Sequence, residues 1–275
     1  MTPRSRVFLL HPCLNSGMDV VGDILARDRR SRDTALVTAD GRERTYHDLI
    51  TNAYKAANVL RYLGAREGSV VAVDPTPGLH TTLAFLGAAR LGAAVRFDPK
   101  AGIAAGDRVV LVAVDDEPGV DPAPETNLVA FGGPPERPET THWEQELWSE
   151  NPATPPSSVT PDDTVICGTD DRSSDGGERD RSADDPEVGG ISHGALLDAA
   201  AAVVEDHDLT AGSHVAFGGG LSDPRAVTAG LVAPLSVGAT VALAGGSASG
   251  VEITVSTDET DGDTQSVDIG AIAFR

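Results

Sequence analysis

PEVGGISHGALLDAAAAVVEDHDLTAGSHVAFGGGLSDPRAVTAGLVAPLSVGATVAL, residues 186–243, is the stretch whose reading decides the fold. A Ser192-His193 step opens a long run of Ala, Leu and Val with helical spacing, and Ser192 stands where a hydroxyl would cap that helix. LTAGS (209–213) stops the helix, a short strand follows, and TAGLVAPL (228–235) and GATVAL (238–243) add another helix and another strand. Helices alternating with short apolar strands predict an α/β chain with mostly parallel sheets.

Upstream the same alternation appears. Val20, Val21, Ile24 and Leu25 share one face and predict an amphipathic helix from about Asp19. TALVT (34–38) reads as a strand, Asp40-Gly41 as a hairpin turn, and 42–45 as the returning strand. Thr45 then caps a helix with Asp48 in its first turn; Leu49, Ile50, Ala53, Ala57 and Leu60 face inward and Gly64 ends it. VVAV (70–73) has the continuous apolar character of a strand buried on both faces. LHTTLAFLGAARL (79–91) follows as a helix, then strands at 93–97, 109–114 and 128–131 and a helix around Trp143 to Trp148. DTVICGT (163–169) is a further strand, and after Leu243 come expected strands at 251–255 and 269–274.

Two blocks of this pattern resemble one family. ALVTADGRERTYHDLITNAYKAANVLRYLGAREGSVVAV (35–73) is similar to the opening of the adenylate-forming, AMP-binding acyl-CoA synthetases, with their A-L-V strand, D-G hairpin, T-Y-x-x-L and L-x-x-L-G-x-x-x-G-x-x-V-A in this order. Residues 186–243 resemble their middle, where a loop T-S-G-T-T-G-x-P-K-G runs into V-x-x-S-H and wraps the triphosphate of ATP. The resemblance implies an N-terminal α/β half of such an enzyme without its C-terminal domain. It also implies a remnant nucleotide loop at Gly168, Thr169, Gly189, Gly190, Ser192 and His193, with ATP and magnesium as cofactors if the site survives.

The pattern also departs from the family. Glu187 stands where its loop has Lys, and Val188 where it has its second Gly. Asp184, Asp185 and Glu187 place three carboxylates where a triphosphate would lie. Two like charges ~4 Å apart at an effective dielectric near 20 repel by about 4 kcal/mol, which offsets several amide contacts to phosphate. Gly220-Leu221-Ser222-Asp223 replaces the family's P-L-F-H beside its acyl pocket. The expectation is therefore a catalytically degenerate relative that acts as a binding or regulatory subunit, with a protein partner or a second copy against it. The alternative is a ligase completed by a partner chain.

Composition sets the outer limits. Lys and Arg number 21 against 42 Asp and Glu, a net charge of -21, and the only lysines are Lys55 and Lys100. Such a field repels nucleic acid and anionic membrane surfaces and fits a cytoplasm rich in salt, where a short Debye length screens self-repulsion. Cys13 and Cys167 are too few for a disulfide framework. The apolar run 7–10 is too short for a signal-peptide core, so a cytoplasmic protein is expected.

The chain divides by composition into a tail (1–17), a first α/β subdomain (18–150), a Pro/Ser/Thr linker (151–161), a strand into the former loop (162–169), an acidic insert (170–186) and a second partial α/β subdomain (187–275). Two competing chemistries are weaker. Gly190-Ile191-Ser192-His193-Gly194 spells G-x-S-x-G, the nucleophile elbow of an α/β hydrolase with Ser192 as nucleophile, but no strand is expected before it and no His follows His214. His207 and His214, with Asp206 and Asp208 nearby, flank a turn without any known metal-ligand spacing.

Overall fold

The computed structural model describes residues 17–99, 106–168, 190–243, 253–255 and 265–274. The acidic insert lies outside them, as does the tail before Gly17. The described chain builds two sheets. The first has six strands in the order β13-β12-β10-β11-β1-β2: β1 (Thr34–Val37), β2 (Glu43–Thr45), β10 (His214–Phe217), β11 (Thr240–Leu243), β12 (Ile253–Val255) and β13 (Gln265–Ser266). The second has seven in the order β7-β6-β5-β3-β4-β8-β9: β3 (Val70–Val73), β4 (Ala94–Phe97), β5 (Asp107–Ala113), β6 (Asn127–Phe131), β7 (Thr141–His142), β8 (Thr164–Ile166) and β9 (Ile191–Ser192). Each sheet is parallel except for one antiparallel pair, β1 with β2 and β8 with β9. The mostly parallel α/β architecture is the expected one.

The sheets are interleaved along the chain. β1 pairs with β11, matching Leu36 to Val241 and Val37 to Ala242, so the front of the chain completes the sheet made by its back. The second sheet is buried on both faces. Val71, Val73, Val109, Leu111 and Val129 enter the main core, while Ala72, Val110, Val112 and Leu128 form a smaller cluster on the opposite side. This is the two-residue period of a pleated strand, and it explains why these strands read as continuous apolar runs.

Two helices join the sheets. α1 (Tyr46–Tyr62) packs on β1 and β2, α2 (Leu79–Leu91) packs on β3 and β4, and the two lie against each other. α1 starts as its sequence dictates: the Thr45 hydroxyl accepts the Asp48 amide and the Asp48 carboxylate accepts the Thr45 amide, a reciprocal capping box. The Tyr46 hydroxyl donates to the Ala239 carbonyl at 2.7 Å, tying this helix to the start of β11. α3 (Trp143–Ser149) buries Trp143, and residues 151–153 are held along α1 by the Asn58 amide, which donates to the Asn151 and Ala153 carbonyls. α4 (His193–Asp206) follows β9 directly. α5 (Pro224–Val227) and α6 (Ala233–Val237) are joined by a π-turn at Thr228–Val232, where Gly230 admits the Phe217 ring.

Two expected elements differ. The helix predicted from Asp19 is a pair of 3-10 turns, Val21–Leu25 and Arg27–Arg29, broken by the extended Ala26. The Asp23 carboxylate accepts the Asp19 and Val20 amides and tightens the first turn, while Val21, Ile24 and Leu25 still enter the core. The strand expected at 269–274 is a 3-10 turn, Ile269–Ala271, capped by Asp268 through the Gly270 amide.

The α1–α2 contact depends on Gly87, where a Cβ would lie 2.9 Å from the Ala57 backbone nitrogen. Ala at a helical position is worth about 1 kcal/mol over Gly, but overpacking against backbone costs about 1–3 kcal/mol. Gly87→Ala is expected to lower unfolding stability, read as an earlier denaturant midpoint in molar potassium chloride.

Candidate functional site

Of the residues singled out from sequence, the four described ones, Gly168, Gly190, Ser192 and His193, lie where β8 and β9 pair. Their antiparallel register sets Thr164 opposite Ser192 and Ile166 opposite Ile191, so residues 168 and 190 leave the sheet side by side. Gly168 and Gly190 therefore frame the mouth of the intervening loop; Thr169 and Gly189 lie outside the described residues. Gly190 is required by this pairing, because a Cβ there would sit 2.4 Å from the Thr164 methyl group and 3.3 Å from the Ile166 carbonyl oxygen.

Ser192 and His193 are both engaged by the fold. Ser192 caps α4, its hydroxyl accepting the Ala195 amide at 3.2 Å. His193 is fully buried, and its backbone amide donates to the Asp163 carbonyl at 3.0 Å. Its Nδ1 accepts the Val21 amide at 3.1 Å, so the ring is neutral with its proton on Nε2, which is buried with no hydrogen-bond partner among the described residues. Burial pushes the imidazole pKa down to about 4, against the opposing pull of the Asp163 and Asp23 carboxylates.

A triphosphate needs free amides and a cation. Here the one hydroxyl at the loop's exit is a helix cap and the one imidazole is a neutral, buried acceptor. Among the described residues at the loop's exit, neither of these two side chains supplies a cation.

The G-x-S-x-G motif sits at the start of α4. No described strand precedes the motif: β9 spans only Ile191 and Ser192, within it, and runs straight into α4. That two-residue strand exists only through pairing with β8. Ser192 has φ -78° and ψ 162°, ordinary extended geometry rather than the strained turn that presents a nucleophile, and its hydroxyl is occupied. His207 ends α4 and His214 begins β10; among the described residues no three His, Cys, Asp or Glu side chains are placed to hold a metal ion.

The loops at the carboxyl ends of β3 and β10 meet where the Leu221 amide donates to the Pro75 carbonyl at 2.8 Å. Leu221 is buried and Asp223 caps α5 through the Arg225 amide, so this departure from the family pattern has structural work.

One polar cluster escaped sequence reasoning. The Glu144 carboxylate accepts the Gly132 amide at 2.7 Å and lies 3.5 Å from the Nε2 atoms of both His80 and His142. Burial lowers the His80 pKa, with Glu144 opposing and Arg44 adding to the shift. No local spacing could reveal it, since His80 lies at the start of α2 and Glu144 in α3.

Two substitutions test this assignment. Gly190→Ala is expected to cost about 1–3 kcal/mol of unfolding stability by forcing β9 off β8, and Thr164→Ala in the same chain should recover part of the loss; additive effects would refute the contact. Ser192→Ala should cost about 1 kcal/mol as a lost helix cap, and Ser192→Asp, which restores an acceptor, should recover it.

A family model described as AMP-binding enzyme matches residues 25–97. No curated protein matches the sequence. Among solved structures, the anthranilate CoA ligase AuaEII in complex with anthranoyl-AMP superposes with a TM-score of 0.67 at 20% identity, over 86% of this chain and 49% of the ligase. MatB from Rhodopseudomonas palustris gives 0.66 at 16% identity over 86% and 49%, and a benzoate CoA ligase from Burkholderia xenovorans LB400 gives 0.64 at 19% over 82% and 45%. The chain spans about half the length of these neighbours. No helix among the described residues is long and apolar enough to cross a membrane. The chain thus carries the AMP-binding signature over residues 25–97, and its described fold is that of the N-terminal half of the adenylate-forming CoA ligases.

Proposed function

We propose that this chain is a ligase-like scaffold that does not adenylate a carboxylate by itself and serves as a binding or regulatory subunit. The observation that carries the reading is the engagement of Ser192 and His193: the polar side chains at the loop's exit are a helix cap and a buried acceptor. The loop sequence supports it, with Glu187 in place of the family's lysine and Asp184 and Asp185 beside it. Adenylation develops charge that cations must neutralise in the transition state. The arginines of the insert, Arg172, Arg179 and Arg181, stand among at least as many carboxylates.

The half-length span of the neighbours favours a second reading, in which another chain supplies the remaining groups of a ligase. The acidic composition supports a salt-rich cytoplasm as the working environment for either.

The deciding experiment is calorimetric titration of magnesium-ATP into the pure chain in molar potassium chloride, followed by ATP–pyrophosphate exchange with short carboxylic acids. No heat at millimolar ATP and no exchange is the expected result. Saturable binding with exchange would overturn the scaffold reading, and exchange that appears only with a co-purifying protein would select the second.

A further inference from the structure

The first 3-10 turn is joined to α4 by one side-chain hydrogen bond across 172 residues, from the Val21 amide to His193 Nδ1 at 3.1 Å. Both partners are fully buried. The bond is conditional, because imidazole Nδ1 accepts only when it is unprotonated; imidazolium presents N–H at both nitrogens and would set donor against donor. From this geometry we infer that His193 is a proton-operated latch, holding the segment Val21–Leu25 on the start of α4 at neutral pH and releasing it on acidification.

The surroundings favour release rather than a protonated closed state. Asp23 of the same turn and Asp163 at the entry to β8 face the imidazole, and both favour its charged form. Burial outweighs them, and the ring's pKa stays below its ordinary 6.5, at about 4. Asp163 accepts the Thr160 amide and hydroxyl, which hold its carboxyl below the usual range, so its charge persists through mild acid. Arg90 of α2 packs against Gly22, the neighbour of Val21, and α4 places no acidic side chain in its own first turn.

The sign follows from linkage. A histidine whose pKa is depressed in the closed state contributes stability that is complete above 6.5 and is lost as pH falls toward about 4. Between pH 7.5 and 4.5 the opening equilibrium of the turn should grow on the order of a hundredfold, that pKa gap expressed as a ratio. Ser192 and β9 adjoin the latch, so release also loosens the exit of the loop.

The test is amide hydrogen exchange of the full chain in molar potassium chloride from pH 7.5 to 4.5, with rates normalised to their intrinsic values. Protection of residues 21–25 should collapse with acid while that of α1 persists. His193→Asn, whose side-chain oxygen accepts at any pH, should keep residues 21–25 protected throughout. Loss of protection in α1 and 21–25 together, constant protection in both, or an unchanged pH profile in His193→Asn would overturn the latch. Should that variant not fold, nuclear magnetic resonance of the natural chain decides: a Val21 amide shift that follows the His193 ring titration supports the latch, and a silent Val21 amide sinks it.

Discussion

Two sheets with separate strand orders become one body because α1 and α2 touch without a side chain between them at Gly87. α1 lies on the six-stranded sheet and α2 on the seven-stranded one, and the main core runs through both helices into both sheets. Close-packed interiors transmit small displacements, since few voids exist to absorb them. The relation between β3 and β10, whose end loops meet at Pro75 and Leu221, is therefore set by a helix contact that neither loop makes.

Within that frame Ser192 and His193 both have structural roles. The S-H step, which in the resembling family follows a phosphate loop, here supplies a cap and a buried neutral acceptor. Gly190 is explained by its approach to Thr164. Scaffold and site can diverge in this way because the packing of β8, β9 and α4 needs a small residue, a hydroxyl and an imidazole whether or not a nucleotide is ever held. Fold and function are separable for this reason.

Much of the architecture was legible in the sequence. The limits of α2 and β3, the Thr45–Asp48 box and the Gly64 stop follow from local rules, because each is decided by residues within a few positions of one another. What escaped is decided at a distance. β9 is a strand only because β8 lies beside it, and the turn at 21–25 is tightened by a carboxylate that periodicity does not see. The partner of His193 is 172 positions away, and the His80–Glu144–His142 group draws on three elements. Of the candidate site, local sequence rules show that Ser192 stands at a helix start, but not that His193 accepts an amide from a turn 172 positions away.

The pairing of β1 with β11 has a consequence for how the molecule comes into being. A chain emerging from a ribosome exposes Ala35, Leu36 and Val37 long before Val241 and Ala242 exist to cover their edge. The strands from β3 to β7 find their neighbours within a much shorter stretch, so the seven-stranded sheet can be nearly built while the six-stranded one is still waiting. During that interval the hairpin of β1 and β2 presents an open edge, the kind of surface that seeks another strand. Asp40, Arg42 and Glu43, in the turn and on β2, are charged and exposed and blunt only the other edge of the hairpin, so the edge of β1 stays open until β11 arrives.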